Sequence, residues 1–175
     1  MTSAKSYSAR RETIIGAARG CFVRFGYAKT SFADVAKAAG ISRPLVYVHF
    51  KSKDELLGAV FTAVFEERYP TVERILAAAG TPSAKLAGIY EQLLVEPWAE
   101  VADGAASEEF LATCERIIPK AAAAYEKRCL RYTQAILGDR ELAQVFIMSA
   151  DGLLVDLPSP EILRRRLKRL IERFV

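Results

Sequence analysis

Apolar residues recur at helical spacing from Ser8 onward: Ile14, Ala18, Cys21 or Phe22, and Phe25 form one stripe, and Gly26 follows as a stop. This predicts a first helix over Ser8–Phe25 behind a flexible arm. Phe32, Val35, Ala36 and Ala39 predict a short second helix, opened by Ser31 with Asp34 in capping-box position and closed by Gly40 in a left-handed conformation. Ser42 then caps a third short helix, with Arg43 and Pro44 in its first turn, where a missing N–H costs little. Lys53, Asp54 and Glu55 open a long helix carrying Leu56, Leu57, Val60, Phe61, Val64 and Phe65, which Pro70 is expected to kink or divide after Tyr69.

Beyond it, Gly80–Ser83 reads as a break, followed by a helix from about Ala84 to Leu94, a second break around Pro97 and a weak interruption over Ala102–Ser107. Residues 108–118 carry Phe110, Leu111, Cys114 and Ile117 at helical spacing, and Pro119 starts or bends a helix that runs to Gly138. Two more helices follow, separated by Pro158-Ser159-Pro160. One carries Leu142, Val145, Phe146, Ser149, Gly152 and Leu153; the other places Leu163, Leu167, Leu170 and Phe174 on a stripe, with Ile162 and Ile171 beside it. Gly152 inside a helix costs about 1 kcal/mol relative to Ala, which suggests close backbone approach there. No period-two alternation appears, so the expected fold class is all-α.

Composition adds little: 51% apolar and 26% charged residues describe an ordinary globular protein. No apolar run reaches the roughly 18 residues needed to cross a bilayer, and the first residues hold no apolar leader core, so a cytoplasmic location is expected. Cys21, Cys114 and Cys129 are widely spaced, without neighbouring Cys or His, and read as core thiols with no metal site or cofactor implied. Charge distribution says more. Residues 1–60 hold ten Lys/Arg against four Asp/Glu, residues 61–163 nine against sixteen, and residues 164–175 six against one. The N-terminal third therefore carries a positive field of the sign a polyanion needs, above an acidic body.

Two short helices joined by a Gly-containing turn make a helix-turn-helix, although any helical hairpin needs a glycine and a cap at its corner. The third helix distinguishes the two readings. It holds no acidic residue; Val46 and Phe50, four apart, form the inward pair and leave Arg43, Pro44, Tyr47 and Val48 facing out, backed by Lys51 and Lys53. Guanidinium and ammonium groups meet phosphate charge, and a phenol can donate to a phosphate oxygen.

The run Gly26 to Ser31, then Asp34-Val35-Ala36, Ala39-Gly40-Ile41-Ser42, and Tyr47 with His49-Phe50-Lys51-Ser52-Lys53-Asp54-Glu55-Leu56, resembles the DNA-binding domain of the TetR family of bacterial one-component repressors over roughly residues 8–57. The resemblance implies an N-terminal three-helix helix-turn-helix DNA-binding domain over residues 1–52 and a C-terminal helical ligand-binding and dimerisation domain over 53–175. It further implies a homodimer on a palindromic double-stranded operator. Carried over where the motif matches, Thr30, Ser31, Ser42, Tyr47, His49 and Lys53 would hold phosphates, and Arg43, Pro44 and Leu45 would approach base edges. Ala33 and Val48 depart from the contact residues common in the family, which leaves part of the readout to DNA shape.

In that family the last two helices build a dimeric four-helix bundle, which makes Phe146, Ser149, Gly152, Leu153, Leu163, Leu167, Leu170 and Phe174 the candidate dimer interface; closing the monomer's own core is the competing role. Tyr90, Trp98, Phe110, Tyr125 and Tyr132 are the candidates to line a ligand pocket in the body, with ordinary core packing as the alternative. His49, the only histidine, has no nucleophile or second ligand implied by spacing, so an enzyme is not expected. The functional expectation is a homodimeric repressor released from DNA by a small-molecule inducer. A ligand-independent architectural or cell-division DNA-binding factor on the same fold is the rival.

Overall fold

The computed structural model describes residues 2–102 and 116–175, with side chains from Ser6 on; the expected helix over 108–118, with Phe110 and Cys114, lies mostly outside that range. Every regular element among the described residues is helical. They divide into two compact units, the first comprising the chain up to Ala63 and the stretch ending at Ala121, the second beginning at Val64 and taking in Ala122–Val175.

In the first unit, α1 (Thr2–Phe25) is longer than the spacing predicts. The expected arm is helical because it contains no Gly or Pro and its stripe extends upstream: Tyr7 and Arg11 precede Ile14 and Ala18 at the same spacing. Tyr7 stacks on His49 with ring centroids 4.2 Å apart, and the Arg11 guanidinium lies 4.9 Å from the Phe50 centroid. Gly26 ends α1 at φ 81°, its N–H bonded to the Phe22 carbonyl at 3.0 Å. α2 (Phe32–Ala39) begins with the expected capping box: the Asp34 N–H donates to Ser31 Oγ at 3.3 Å, and the Ser31 N–H donates to Asp34 Oδ2 at 2.9 Å. Gly40 closes it at φ 66°. α3 (Arg43–His49) carries Pro44 in its first turn, but the Ser42 hydroxyl makes no capping bond. α4 (Lys53–Glu66) starts in this unit and runs into the second. Ile14, Ala18, Val35, Val46, Phe50 and Leu56 are sealed in the core these helices share.

The second unit holds α5 (Tyr69–Ala77), α6 (Pro82–Tyr90), a π-helical turn (Glu91–Val95), α7 (Glu96–Ala99), most of α8 (Pro119–Leu137), α9 (Arg140–Gly152) and α10 (Pro160–Phe174). The break before α5 falls at Glu67-Arg68, earlier than expected, because Pro70 sits inside the first turn of α5, where its missing N–H is harmless. Pro97 does not break the chain. The helix continues through the π-turn, and the Leu93 carbonyl, four residues before the proline, accepts a hydrogen bond from the Tyr125 hydroxyl at 2.9 Å. Thr81, Asp139 and Ser159 cap α6, α9 and α10 through their side-chain oxygens.

Side chains expected at a pocket or a dimer interface build this unit's interior. Tyr90, Trp98, Tyr132, Phe146, Leu163 and Leu167 are buried, with the Phe146 ring edge-on to Tyr90 at 4.9 Å and to Phe174 at 5.1 Å. The buried polar tips are partnered. The Trp98 indole donates to the Pro158 carbonyl at 2.7 Å, the Tyr90 hydroxyl lies 2.7 Å from Thr133 Oγ1, and the Tyr132 hydroxyl donates to Glu73 Oε1 at 2.9 Å. Burial pushes the Tyr90 and Tyr125 phenols far above their usual range and the Cys129 thiol up to about 12, so all three stay protonated. Among the described residues nothing lies within 4 Å of a Cβ placed on Gly152, so none of them makes the close approach expected there.

Candidate nucleic-acid interface

The outward face of α3 is built on its buried face. Val46 and Phe50 are fully enclosed, and this anchor turns Arg43, Pro44, Tyr47 and Val48 to solvent, with Tyr47 48% and Val48 64% exposed. These two side chains leave apolar surface uncovered on a seven-residue helix. Tyr47 is braced from two sides. Its ring meets Phe32 of α2 edge-on at 4.8 Å, and Arg43, one turn earlier, donates from Nη2 to its hydroxyl at 3.2 Å. The guanidinium is thereby held over the exposed face with donors to spare, a geometry suited to a two-pronged acceptor such as a guanine edge. Leu45 is half-buried, and Ser42, Lys51 and Ser52 are exposed around the helix ends.

Three of the expected phosphate ligands are engaged inside the unit. The Thr30 side chain is 2% exposed, and its hydroxyl lies 2.7 Å from the Gly26 carbonyl and 3.2 Å from that of Cys21. His49 is 7% exposed beneath Tyr7, and its Nδ1 is buried without a hydrogen-bond partner. Burial first, then the charges of Arg11 and Arg10, hold the imidazole below its usual pKa, so it is neutral at pH 7. The Lys53 ammonium donates to main-chain carbonyls. Ser31 uses its hydroxyl on Asp34, donating at 2.6 Å to the carboxylate of its capping box. The accessible set is therefore Ser31, with its hydroxyl proton already given to Asp34, and Ser42, Arg43, Pro44, Tyr47 and Val48, with Lys51 beside them.

Sequence spacing alone missed Tyr7 and Arg11, which cover His49 and Phe50. The signal was present: both continue the α1 stripe at helical spacing, with no Gly or Pro before them.

In the second unit, an open groove of about 1510 Å³ runs along α8 and α9, lined among others by Glu73, Arg131, Gln134, Gln144, Ile147 and Met148. None of Tyr90, Trp98, Tyr125 and Tyr132 lines it. On α9, Leu142, Val145 and Met148 stand exposed, followed by Val155. Of the side chains expected at a dimer interface, Phe146, Leu163 and Leu167 are enclosed in the unit's own core, because their stripe faces α6 and the π-turn; Ser149, Leu153, Leu170 and Phe174 are half-buried, and Gly152 is exposed.

Residues 14–60 match the model of the bacterial regulatory proteins of the tetR family. An HTH-type transcriptional repressor from Mycobacterium tuberculosis is 34% identical over 90 residues, which is 51% of this chain and 43% of that protein. The HTH-type transcriptional regulator TtgR of Pseudomonas putida is 41% identical over 56 residues, 32% of this chain and 27% of its own length. The matched stretch thus spans less than half of these curated relatives. Solved structures match almost end to end. A TetR transcription regulator from Haloarcula marismortui superposes with a TM-score of 0.76 at 18% identity, covering 95% of this chain and 98% of the other. A tetR-family regulator from Streptomyces coelicolor gives 0.78 at 20% identity, covering 95% and 79%. At those identities the likeness is one of fold: an all-α chain with an N-terminal helix-turn-helix domain and a C-terminal helical domain.

Proposed function

We propose, from the premise that this chain belongs to the tetR family of bacterial regulatory proteins through residues 14–60, that it is a DNA-binding transcriptional repressor acting as a homodimer on a palindromic operator. The observation that carries the reading is the exposed face of α3, where an acid-free helix offers a braced guanidinium, a phenol and an apolar side chain on a rigid anchor. Arg43 reads a base edge, Val48 meets a thymine methyl, and Ser42, Tyr47 and Lys51 meet phosphates. The surplus of positive charge over residues 1–60 supports the counterion-release part of the affinity. The exposed Leu142, Val145, Met148 and Val155 supply an apolar surface that a second copy would cover.

Release by a small molecule completes the proposal: an inducer acts to the extent that it binds the DNA-incompetent arrangement more tightly. The open groove along α8 and α9 offers it mixed polar and apolar walls. One observation favours the rival, ligand-independent reading: Tyr90, Trp98, Tyr125 and Tyr132 already have their polar atoms matched within the body.

The test is selection of genomic fragments by the purified protein. A shared palindrome bound about 10³-fold or more above random duplex is expected, and recovery of fragments without a common sequence would sink the repressor reading. Candidate metabolites drawn from the products of genes beside the recovered sites then separate the two readings, since an inducer lowers operator affinity and the rival factor is indifferent to all of them.

A further inference from the structure

Lys53 opens α4 at a position where resemblance assigns a phosphate ligand, yet its ammonium is already occupied. Nζ donates to the main-chain carbonyls of Tyr27 at 2.8 Å, Thr30 at 3.1 Å and Ala28 at 3.2 Å, and lies 4.3 Å from the Tyr27 ring centroid. An ammonium has three N–H donors, and each has an acceptor here. These carbonyls belong to the turn between α1 and α2, beyond the last helical residue Phe25. A second tie joins the same two elements, since the Tyr27 hydroxyl donates to the Asp54 carboxylate. Thr30 braces the corner from within through the Gly26 and Cys21 carbonyls.

We propose that Lys53 is a positioning residue that fixes the first turn of α4 to the α1–α2 corner and so sets the angle at which α3 is presented, without itself binding phosphate. The chain order gives the reason. Only α2, α3 and short turns lie between the corner and Lys53, so holding Tyr27–Thr30 against the start of α4 closes a loop around the two helices of the DNA-reading corner. A phosphate could recruit the ammonium only by breaking bonds that the fold uses. Lys51, exposed beside it, is free to take the phosphate role. The functional half of this inference rests on the DNA-binding reading; the clamp itself does not.

Two measurements test it. In the wild-type protein, acylation of lysines followed by mass spectrometry should label Lys53 about tenfold more slowly than Lys51 without DNA, the factor one net hydrogen bond supplies. Adding the operator duplex recovered by fragment selection should protect Lys51 and leave Lys53 unchanged. In Lys53→Met, which keeps the stem and removes the ammonium, the slope of log K against log salt should equal that of the wild type while the operator-to-random ratio falls about tenfold, because a tilted α3 loses base contacts before phosphate contacts. Lys51→Met should do the opposite, losing about 0.9 in slope per protomer with the ratio intact. Slow labelling of Lys53 only when DNA is present overturns the proposal. So does a slope loss of about 0.9 per protomer in Lys53→Met, or no change in either quantity. If Lys53→Met does not fold, the wild-type labelling decides alone. If the wild type binds no duplex, the DNA-binding reading fails, while labelling of the free protein still reads the clamp.

Discussion

Arg43 and His49 lie on one short helix and are held by different physics. Arg43 leans on Tyr47 with donors left over, so truncation should remove sequence information rather than general affinity. Arg43→Ala should cost about 1–3 kcal/mol per half-site of the operator and little on random duplex, measured by fluorescence anisotropy on both; equal losses would end its base-reading role. His49 is buried and neutral beside the charges of Arg10 and Arg11, with Tyr7 over its ring. Its folded pKa lies below the unfolded value of 6.5, so the unfolded chain takes up the proton first as pH falls. Stability of the first unit should be flat above that value and drop as pH descends below it. Calorimetry at pH 7.5 and 5.5 should show a loss of Tm that His49→Gln largely abolishes, and an equal loss in the variant would assign the pH dependence elsewhere.

Helices α6 and α7 show how one proline can be absorbed. Pro97 withholds the N–H that would have bonded the Leu93 carbonyl, and the Tyr125 hydroxyl takes that acceptor instead. Tyr125→Phe should therefore destabilise the second unit by about 1 kcal/mol in urea unfolding, and by distinctly less in a Pro97→Ala background, where a backbone N–H is restored. Additivity of the two substitutions would show that the contact is incidental. The same reasoning explains which breaks were legible. Gly26, Gly40 and Gly138 end helices because each takes a positive φ, a local property of the residue. Pro97 and the arm before Ser8 were misread because their outcome depends on partners remote in sequence, Tyr125 in one case and His49 in the other.

At the scale of the whole chain, positive charge is in surplus over residues 1–60 and nearly balanced beyond them, and the interface of the proposed homodimer is to be sought where apolar side chains remain uncovered. Val145→Glu and Met148→Glu, both at exposed positions of α9, should halve the mass seen by light scattering while leaving helicity and Tm nearly intact. Leu167→Glu should unfold the second unit, because that side chain is enclosed with Leu163 and Ile171. A dimer that survives both surface substitutions would place the interface elsewhere.

The sequence by itself determined the helical class, the corner at Ser31–Ser42, the inward pair Val46 and Phe50, and the charge asymmetry, because periodicity, capping chemistry and charge are local quantities. Only the tertiary structure decided which polar groups are left for a partner. Thr30, His49 and Lys53 look like phosphate ligands in sequence, yet each is turned inward by atoms up to 42 residues away in the chain. A lysine at the start of a helix can face solvent or a set of carbonyls, and that choice depends on where α1 ends in space, which no local pattern encodes.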